Sequence, residues 1–213
     1  PAVAWGLVLA NLLRGTPVDA DGEAVGGVVD LLSPYAVLGG LVTAAVFLVH
    51  GAFFVALKTV GPIRQRATSL ALRAGLPAAA GLLVFLGWTA ATQADRTVWL
   101  LAAGSFAAFV AAFAAGVGRL EGWAFGATAG TILLLVATVF SALFPDVMVS
   151  SLDPAWSLTT ESAAASPYTL RILTWVAVFF VPVVLAYQGW SYWVFRRRIG
   201  VQHIPEARPS GSR

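Results

Sequence analysis

Two ionisable side chains at one apolar stretch are the candidates for chemistry in this sequence. His50 lies about two-thirds of the way along residues 34–57, and Lys58 follows directly after them. If that stretch spans a membrane, the imidazole can relay a proton or ligate a metal, and an ionisable group at such depth is a functional candidate. We therefore predict a polar or proton path through His50 and Lys58 at the inner side of a membrane.

Each of these residues also has a purely structural interpretation. A neutral His50 imidazole can hydrogen-bond to a neighbouring helix without any role in proton transfer. The Lys58 ammonium can extend to the polar headgroups as an ordinary interfacial anchor. The sequence leaves both interpretations open.

No other motif predicts a self-sufficient active site. The chain has no cysteine, which excludes thiol catalysis, disulfides and cysteine-ligated metals. Neither a glycine-rich phosphate loop, a nucleophile elbow nor a zinc-binding HExxH helix is present. His203 and the sole methionine, Met148, lie outside the apolar stretches, so no pair of haem ligands is expected within the bundle. We predict no catalytic, cofactor-binding or metal-binding residue in this chain.

Long apolar stretches are the elements that must position these side chains. They cover roughly residues 34–57, 74–93, 98–118, 123–144 and 168–195. Charged residues make up only 11% of the chain, against about 25% in a typical soluble domain. Each stretch approaches or exceeds the roughly 20 residues that cross a bilayer, and backbone amides in lipid must be bonded within their own segment. The sequence predicts an all-α, polytopic membrane helix bundle over residues 1–195.

The connections between these stretches alternate in the sign of their charge. Ten of the 13 basic residues fall on one side and eight of the ten acidic residues on the other. Basic residues collect on the cytoplasmic face because their translocation is unfavourable. We expect a multi-pass protein of the bacterial inner membrane, with its C-terminus and a basic tail, residues 196–213, in the cytoplasm. The net charge of +3 gives no indication of nucleic-acid binding.

Three further segments lie outside the long apolar stretches or between them. Pro1 to Leu13 is too short to cross a bilayer, and we expect it to be the truncated outer end of a helix that begins before this sequence. Residues 62–73 predict either a short interfacial helix or a continuation of the next helix. The outer connection, residues 145–167, is long enough to fold over the bundle as a lid or to remain a solvated tether.

Glycines that recur every four positions predict one close helix contact. Gly122, Gly126 and Gly130 would form a smooth ridge, and the Ala- and Gly-rich residues 102–118 are its expected neighbour. Helices in lipid approach each other most closely through small residues of this kind.

Several motifs resemble one known family. They include Leu-Leu-Ser-Pro-Tyr at 31–35 and His-Gly-Ala-Phe-Phe at 50–54, together with further segments at 11–15, 144–145, 166–170 and 186–196. In this order and spacing they resemble subunit II of the cytochrome bd-type quinol oxidases. The acidic residues usually discussed for proton delivery in that family belong to its N-terminal half, so none is carried over to this chain.

The resemblance implies a nine-helix subunit made of two four-helix bundles and one peripheral helix. This chain would hold the end of the fourth helix and the five that follow. It would be the haem-free partner of subunit I, in which haems b and d and the quinol site are expected. The complex would oxidise quinol and reduce oxygen to water in aerobic respiration. Small accessory subunits, and a quinone or lipid bound to this chain, are left open by the resemblance.

Two other functions are compatible with a membrane bundle. The first is one half of a transporter, which typically shows paired Gly/Pro interruptions near the midplane. Here only Pro182 interrupts an apolar stretch near its middle, and it has no counterpart. The second is a purely structural subunit that supports assembly.

Overall fold

A computed structural model describes residues 1–23, 25–93 and 95–194, so the predicted tail at 196–213, with His203, lies outside the described residues. Helices account for most of the fold. They are α1 (Ala2–Arg14), α2 (Pro34–Lys58), α3 (Gly61–Gln93), α4 (Arg96–Val117), α5 (Glu121–Leu143) and α6 (Pro167–Val194). The last five are long and apolar enough to cross a membrane, which confirms the predicted all-α polytopic bundle.

The start of α3 shows that residues 62–73 continue the helix that follows them. Buried positions recur every three or four residues from Ala67 through Ala71 and Gly75 to Ala78, so one face runs through the segment. Gly61, with a φ of 68°, provides the turn from α2. The helix also continues without a break through Pro77.

Side-chain caps mark the starts of three helices. The Ser33 hydroxyl accepts a bond from the Ala36 backbone N–H, ahead of a proline at the first position of α2. The Ser166 hydroxyl accepts from the Thr169 N–H in the same manner at α6. At α4 the Asp95 carboxylate accepts from the N–H groups of Val98 and Thr97, and these bonds lower the pKa of Asp95.

The core lies between α2 and its neighbours. Helix α2 packs against α1, α3 and α5, and α4 packs against α3 and α5. Phe53 of α2, Leu82 of α3 and Phe109 of α4 are buried at its centre. Helix α6 contributes no buried residue, so it is peripheral to this core.

Glycines form a close helix contact, but at a different place from the one predicted. A Cβ added to Gly6 of α1 would lie 2.5 Å from the Gly39 carbonyl oxygen and 2.7 Å from the Gly40 Cα of α2. Helix α4 does pack against α5, as expected, but not through the predicted ridge, because a Cβ at Gly126 or Gly130 would meet nothing within 4 Å among the described atoms.

Helix α5 instead turns a face rich in threonine toward its neighbours. Thr128, Thr131 and Thr138 are buried, and each hydroxyl donates to a carbonyl of its own helix. Because these hydroxyls are bonded locally, the polar face can be buried at little cost.

The outer connection is structured rather than a tether. Its strands β1 (Asp146–Met148) and β2 (Leu158–Thr159) pair antiparallel. The Thr16 N–H donates to the Val149 carbonyl at 3.0 Å, and the Ser150 hydroxyl donates to the Val18 carbonyl at 2.7 Å. The connection therefore folds over the end of α1, as the lid interpretation predicted.

We expect Gly6→Ala to destabilise the contact between α1 and α2. The added methyl group would overlap backbone atoms that cannot move independently, and overpacking of this kind costs about 1–3 kcal/mol. Thermal unfolding of the full-length protein in detergent measures the effect. Gly51→Ala is the control, because its Cβ would meet no described atom within 4 Å. Equal unfolding temperatures for the two variants would contradict the predicted contact.

Candidate functional site

His50 lies in the second half of α2 and contacts α5. Its Nδ1 is 2.8 Å from the Thr128 hydroxyl oxygen, and its ring stacks on Phe125 with 4.5 Å between the centroids. The side chain is only partly buried. The helix-to-helix hydrogen bond expected from the structural interpretation of His50 is therefore present.

The hydrogen bonds of Thr128 favour one tautomer of a neutral His50 ring. The Thr128 hydroxyl lies 2.9 Å from the Phe125 carbonyl, and a bond to that carbonyl uses its only proton. With this bond made, Nδ1 of His50 carries a proton and donates it to the Thr128 oxygen, and Nε2 is left as an acceptor. No group among the described residues hydrogen-bonds to Nε2. In this tautomer the ring presents a nitrogen that can take up a proton.

Lys58 is the last residue of α2, at the end of the bundle where α3 begins and α4 ends; we name this the basic end. Eight residues of helix separate Lys58 from His50, which is about 12 Å along the axis. The two predicted site residues therefore lie on one helix but are not brought into direct contact.

A partly buried ion pair lies at the basic end, and the sequence did not predict it. Arg64 of α3 donates from Nε to Glu121 Oε1 at 2.7 Å, and its Nη2 contacts the same oxygen. The Glu121 side chain is only 6% exposed, whereas that of Arg64 is 36% exposed. The signal in the sequence was an acidic residue in an otherwise basic connection, at the first turn of α5, where a carboxylate is favoured.

Glu121, Thr128 and His50 form a polar column along α5. Glu121 and Thr128 are seven residues apart, which is two helical turns and about 10 Å on the same face. The column runs from the basic end into the bundle, with Phe125 between the carboxylate and the hydroxyl. It can carry a proton only if water bridges its members, because no direct bond links Glu121 to Thr128 among the described contacts.

The donors in the described part of the chain do not fit a haem or a metal centre. Met148 lies in β1, beyond the opposite end of α5. Thr128, the partner of His50, is fifteen residues from the last residue of α5, so His50 and Met148 are separated by roughly 20 Å. No three His, Cys, Asp or Glu side chains among the described residues are grouped as a metal site would require.

A family model described as cytochrome bd terminal oxidase subunit II matches residues 1–195. The chain belongs to this family. Membership in the subunit II family confirms the resemblance drawn from the sequence motifs. With the apolar helices, it also identifies a multi-pass membrane protein.

Two relatives and one solved structure show how much of a subunit II this chain contains. It is 32% identical to cytochrome bd ubiquinol oxidase subunit 2 of Bacillus subtilis (strain 168), over 93% of this chain and 60% of that protein. It is 30% identical to cytochrome bd-I ubiquinol oxidase subunit 2 of Escherichia coli (strain K12), over 96% of this chain and 64% of that protein. The structure of bd oxidase from Geobacillus thermodenitrificans matches the fold of this chain with a TM-score of 0.67 at 16% identity. The match covers 91% of this chain and 60% of that one. The chain thus spans about three-fifths of the length of these relatives.

We expect the two halves of the ion pair to differ in their effect on stability. Arg64→Gln should cost about 1–3 kcal/mol, because the nearly buried Glu121 carboxylate would lose a charged donor. Glu121→Gln should cost less, because the partly exposed Arg64 guanidinium can turn toward water.

The measurement is denaturant unfolding of the full-length protein in detergent. Arg66→Gln, an exposed arginine of the same helix, is the control and should change the free energy of unfolding by less than about 0.5 kcal/mol. A larger loss for Glu121→Gln than for Arg64→Gln would show that the burial argument is wrong.

Proposed function

We propose that this chain acts as the haem-free subunit II of a cytochrome bd-type terminal quinol oxidase. In that complex it supports quinol oxidation and the reduction of oxygen to water by a haem-bearing subunit I. The match of the subunit II family model to residues 1–195 carries this proposal, because it includes all six helices. The names of the curated relatives, both ubiquinol oxidases, supply the reaction class.

The shortage of haem-ligand residues among the described residues supports the assignment of the haems to subunit I. Haems b and d supply electron transfer and oxygen chemistry when bound, and we assign them to subunit I. The helices of this chain would instead form an apolar, water-excluding bundle beside that subunit. The continuity of α3 through Pro77 and of α6 through Pro182 does not match the broken helices of a half-transporter.

The distribution of charge supports an orientation for the complex. The basic end carries Arg64, Arg66, Arg73 and Arg119 in addition to Lys58. The positive-inside rule places this end in the cytoplasm, and the C-terminus with it. Protons consumed in water formation would then be drawn from the side at which the polar column begins.

The polar column is our candidate for an inner-side proton path. Lys58 lies at its cytoplasmic mouth, and Glu121 offers a carboxylate at the basic end. Water would bridge the two helical turns to His50, whose Nε2 can accept a proton while Nδ1 remains bonded to Thr128. From Nε2 the proton would pass toward the boundary with subunit I.

Purification of the tagged full-length protein in mild detergent tests the assignment as a subunit. We expect a larger partner to co-purify, with haem absorption that travels with that partner. Purification of the chain alone from a strain that makes the oxidase would contradict the proposal. Haem that remains with this chain after the partner is removed would contradict it equally.

His50→Phe in the assembled oxidase tests the proton path. Phenylalanine keeps the stacking on Phe125 but removes both ring nitrogens, so turnover and proton uptake should fall by about tenfold or more. The pH profile of turnover should change as well, which loss of a structural contact alone would not produce.

Thr138→Val is the matched control for this test. It removes a buried hydroxyl of the same helix, which donates to the Leu134 carbonyl and lies outside the polar column. We expect its turnover to stay close to that of the parent. If His50→Phe retains normal turnover and an intact haem spectrum, His50 has a structural role only.

A further inference from the structure

A cavity of about 760 Å³ opens at the basic end, between the first turns of α3 and the connection from α4 to α5. It shares Glu121 with the polar column, and Arg64 also forms part of its wall. Its polar lining combines guanidinium groups with the hydroxyls of Thr68 and Ser69. We name it the basic cavity.

The charge of the basic cavity is strongly positive. Three arginines, Arg64, Arg73 and Arg119, line it against the single carboxylate of Glu121. Arg64 is paired with that carboxylate. Arg73 and Arg119 are exposed, and neither forms a side-chain hydrogen bond or ion pair with a described residue. Two guanidinium groups are therefore available to an anion from outside the chain.

The backbone at Arg119 holds one of these groups in an unusual position. Its φ of 58° lies in the left-handed region, which is unfavourable for a residue with a side chain. The preceding residue, Gly118, and the following residue, Leu120, form the rest of the tight connection to α5. Arg119 thus occupies a backbone conformation that glycine adopts more readily.

One part of the lining is apolar. Leu72 and Leu76 of α3 and Val117 of α4 lie in the wall, and Leu76 and Val117 are 66% and 61% exposed. Leu76 is one turn further along α3 than Arg73, toward the apolar part of that helix. The cavity therefore has a cationic, hydroxyl-lined part beside an exposed apolar part, on helices long enough to span a membrane.

We propose that the basic cavity binds the phosphodiester headgroup of an anionic phospholipid. Arg73 and Arg119 bind the phosphate, the Ser69 hydroxyl donates to its oxygens, and Leu76 and Val117 contact the acyl chains. Basic pockets between membrane helices recognise lipid headgroups in this way. A free phosphate ion shares the chemistry of the headgroup, but it would leave the apolar wall without a ligand. The proposal requires only a membrane protein and does not depend on the oxidase function.

Lipid titration tests this site on the full-length protein, purified with whatever subunits accompany it. Native mass spectrometry gives the affinity for phosphatidylglycerol, with phosphatidylcholine as the neutral probe. Arg73→Gln combined with Arg119→Gln should weaken phosphatidylglycerol binding about 30-fold, because each arginine that contacts the headgroup contributes about a fivefold factor. The affinity for phosphatidylcholine should stay unchanged.

Two further variants make the result specific. Arg66→Gln removes one charge from the same helix but does not line the cavity, so its affinity should stay within about twofold of the parent. Gln65→Glu adds a negative charge to the lining at an exposed position without changing the size of the side chain. It should weaken phosphatidylglycerol binding about fivefold even if the double variant fails to fold.

Inorganic phosphate at millimolar concentration distinguishes the two sources of the anion. We expect it to leave bound phosphatidylglycerol in place, because it cannot contact the apolar wall. Displacement of the lipid by phosphate alone would overturn the assignment to a phospholipid. Unchanged lipid affinity in the double variant, or an equal loss in Arg66→Gln, would overturn the site itself.

Discussion

A polar group inside an apolar bundle must find its hydrogen-bond partner within the chain, and α5 shows how this requirement shapes the fold. Thr128, Thr131 and Thr138 all donate to carbonyls of their own helix. A neighbouring helix can then bond to this face only by bringing a donor. Helix α4 brings the Ser105 hydroxyl to the Thr131 carbonyl, and α2 brings His50 to the Thr128 oxygen. The contact between α2 and α5 thus favours one tautomer of His50.

The same requirement separates the two kinds of polar chemistry at the basic end. Glu121 is buried, so its carboxylate needs a charged donor from another helix, which Arg64 supplies. Arg73 and Arg119 are exposed and can remain solvated until an anion arrives. One group of residues therefore faces the interior and suits a proton path, and the other faces the membrane surface and suits a ligand. Both groups lie at the basic end, with Arg64 and Arg73 in α3, Glu121 in α5 and Arg119 in the connection between α4 and α5.

Properties that depend on one segment at a time could be predicted from the sequence, and properties that depend on neighbours could not. Apolar length and charge sign indicated the spanning helices, and the motifs indicated the family. The sequence did not decide whether α3 begins at Gly61, because arginines lower the hydropathy of its first twelve residues. The structure shows that the buried face of α3 includes Ala67 and Ala71 in this segment. The partner of Glu121 is 57 positions away in the sequence. Gly126 repeats at a helical spacing but lies on a face that no described helix covers, which spacing alone cannot show.

The bond from Ser150 to the Val18 carbonyl joins residues 132 positions apart. During synthesis, the outer end of α1 therefore stays open until α5 has been inserted and the strand pair after it has been made. Over that interval α1 is already held by its glycine contact with α2 and by the bond from the Asn11 side chain to the Leu31 carbonyl. The order of translation thus makes the contact between α1 and α2 an early step, and the covering of the end of α1 a late one.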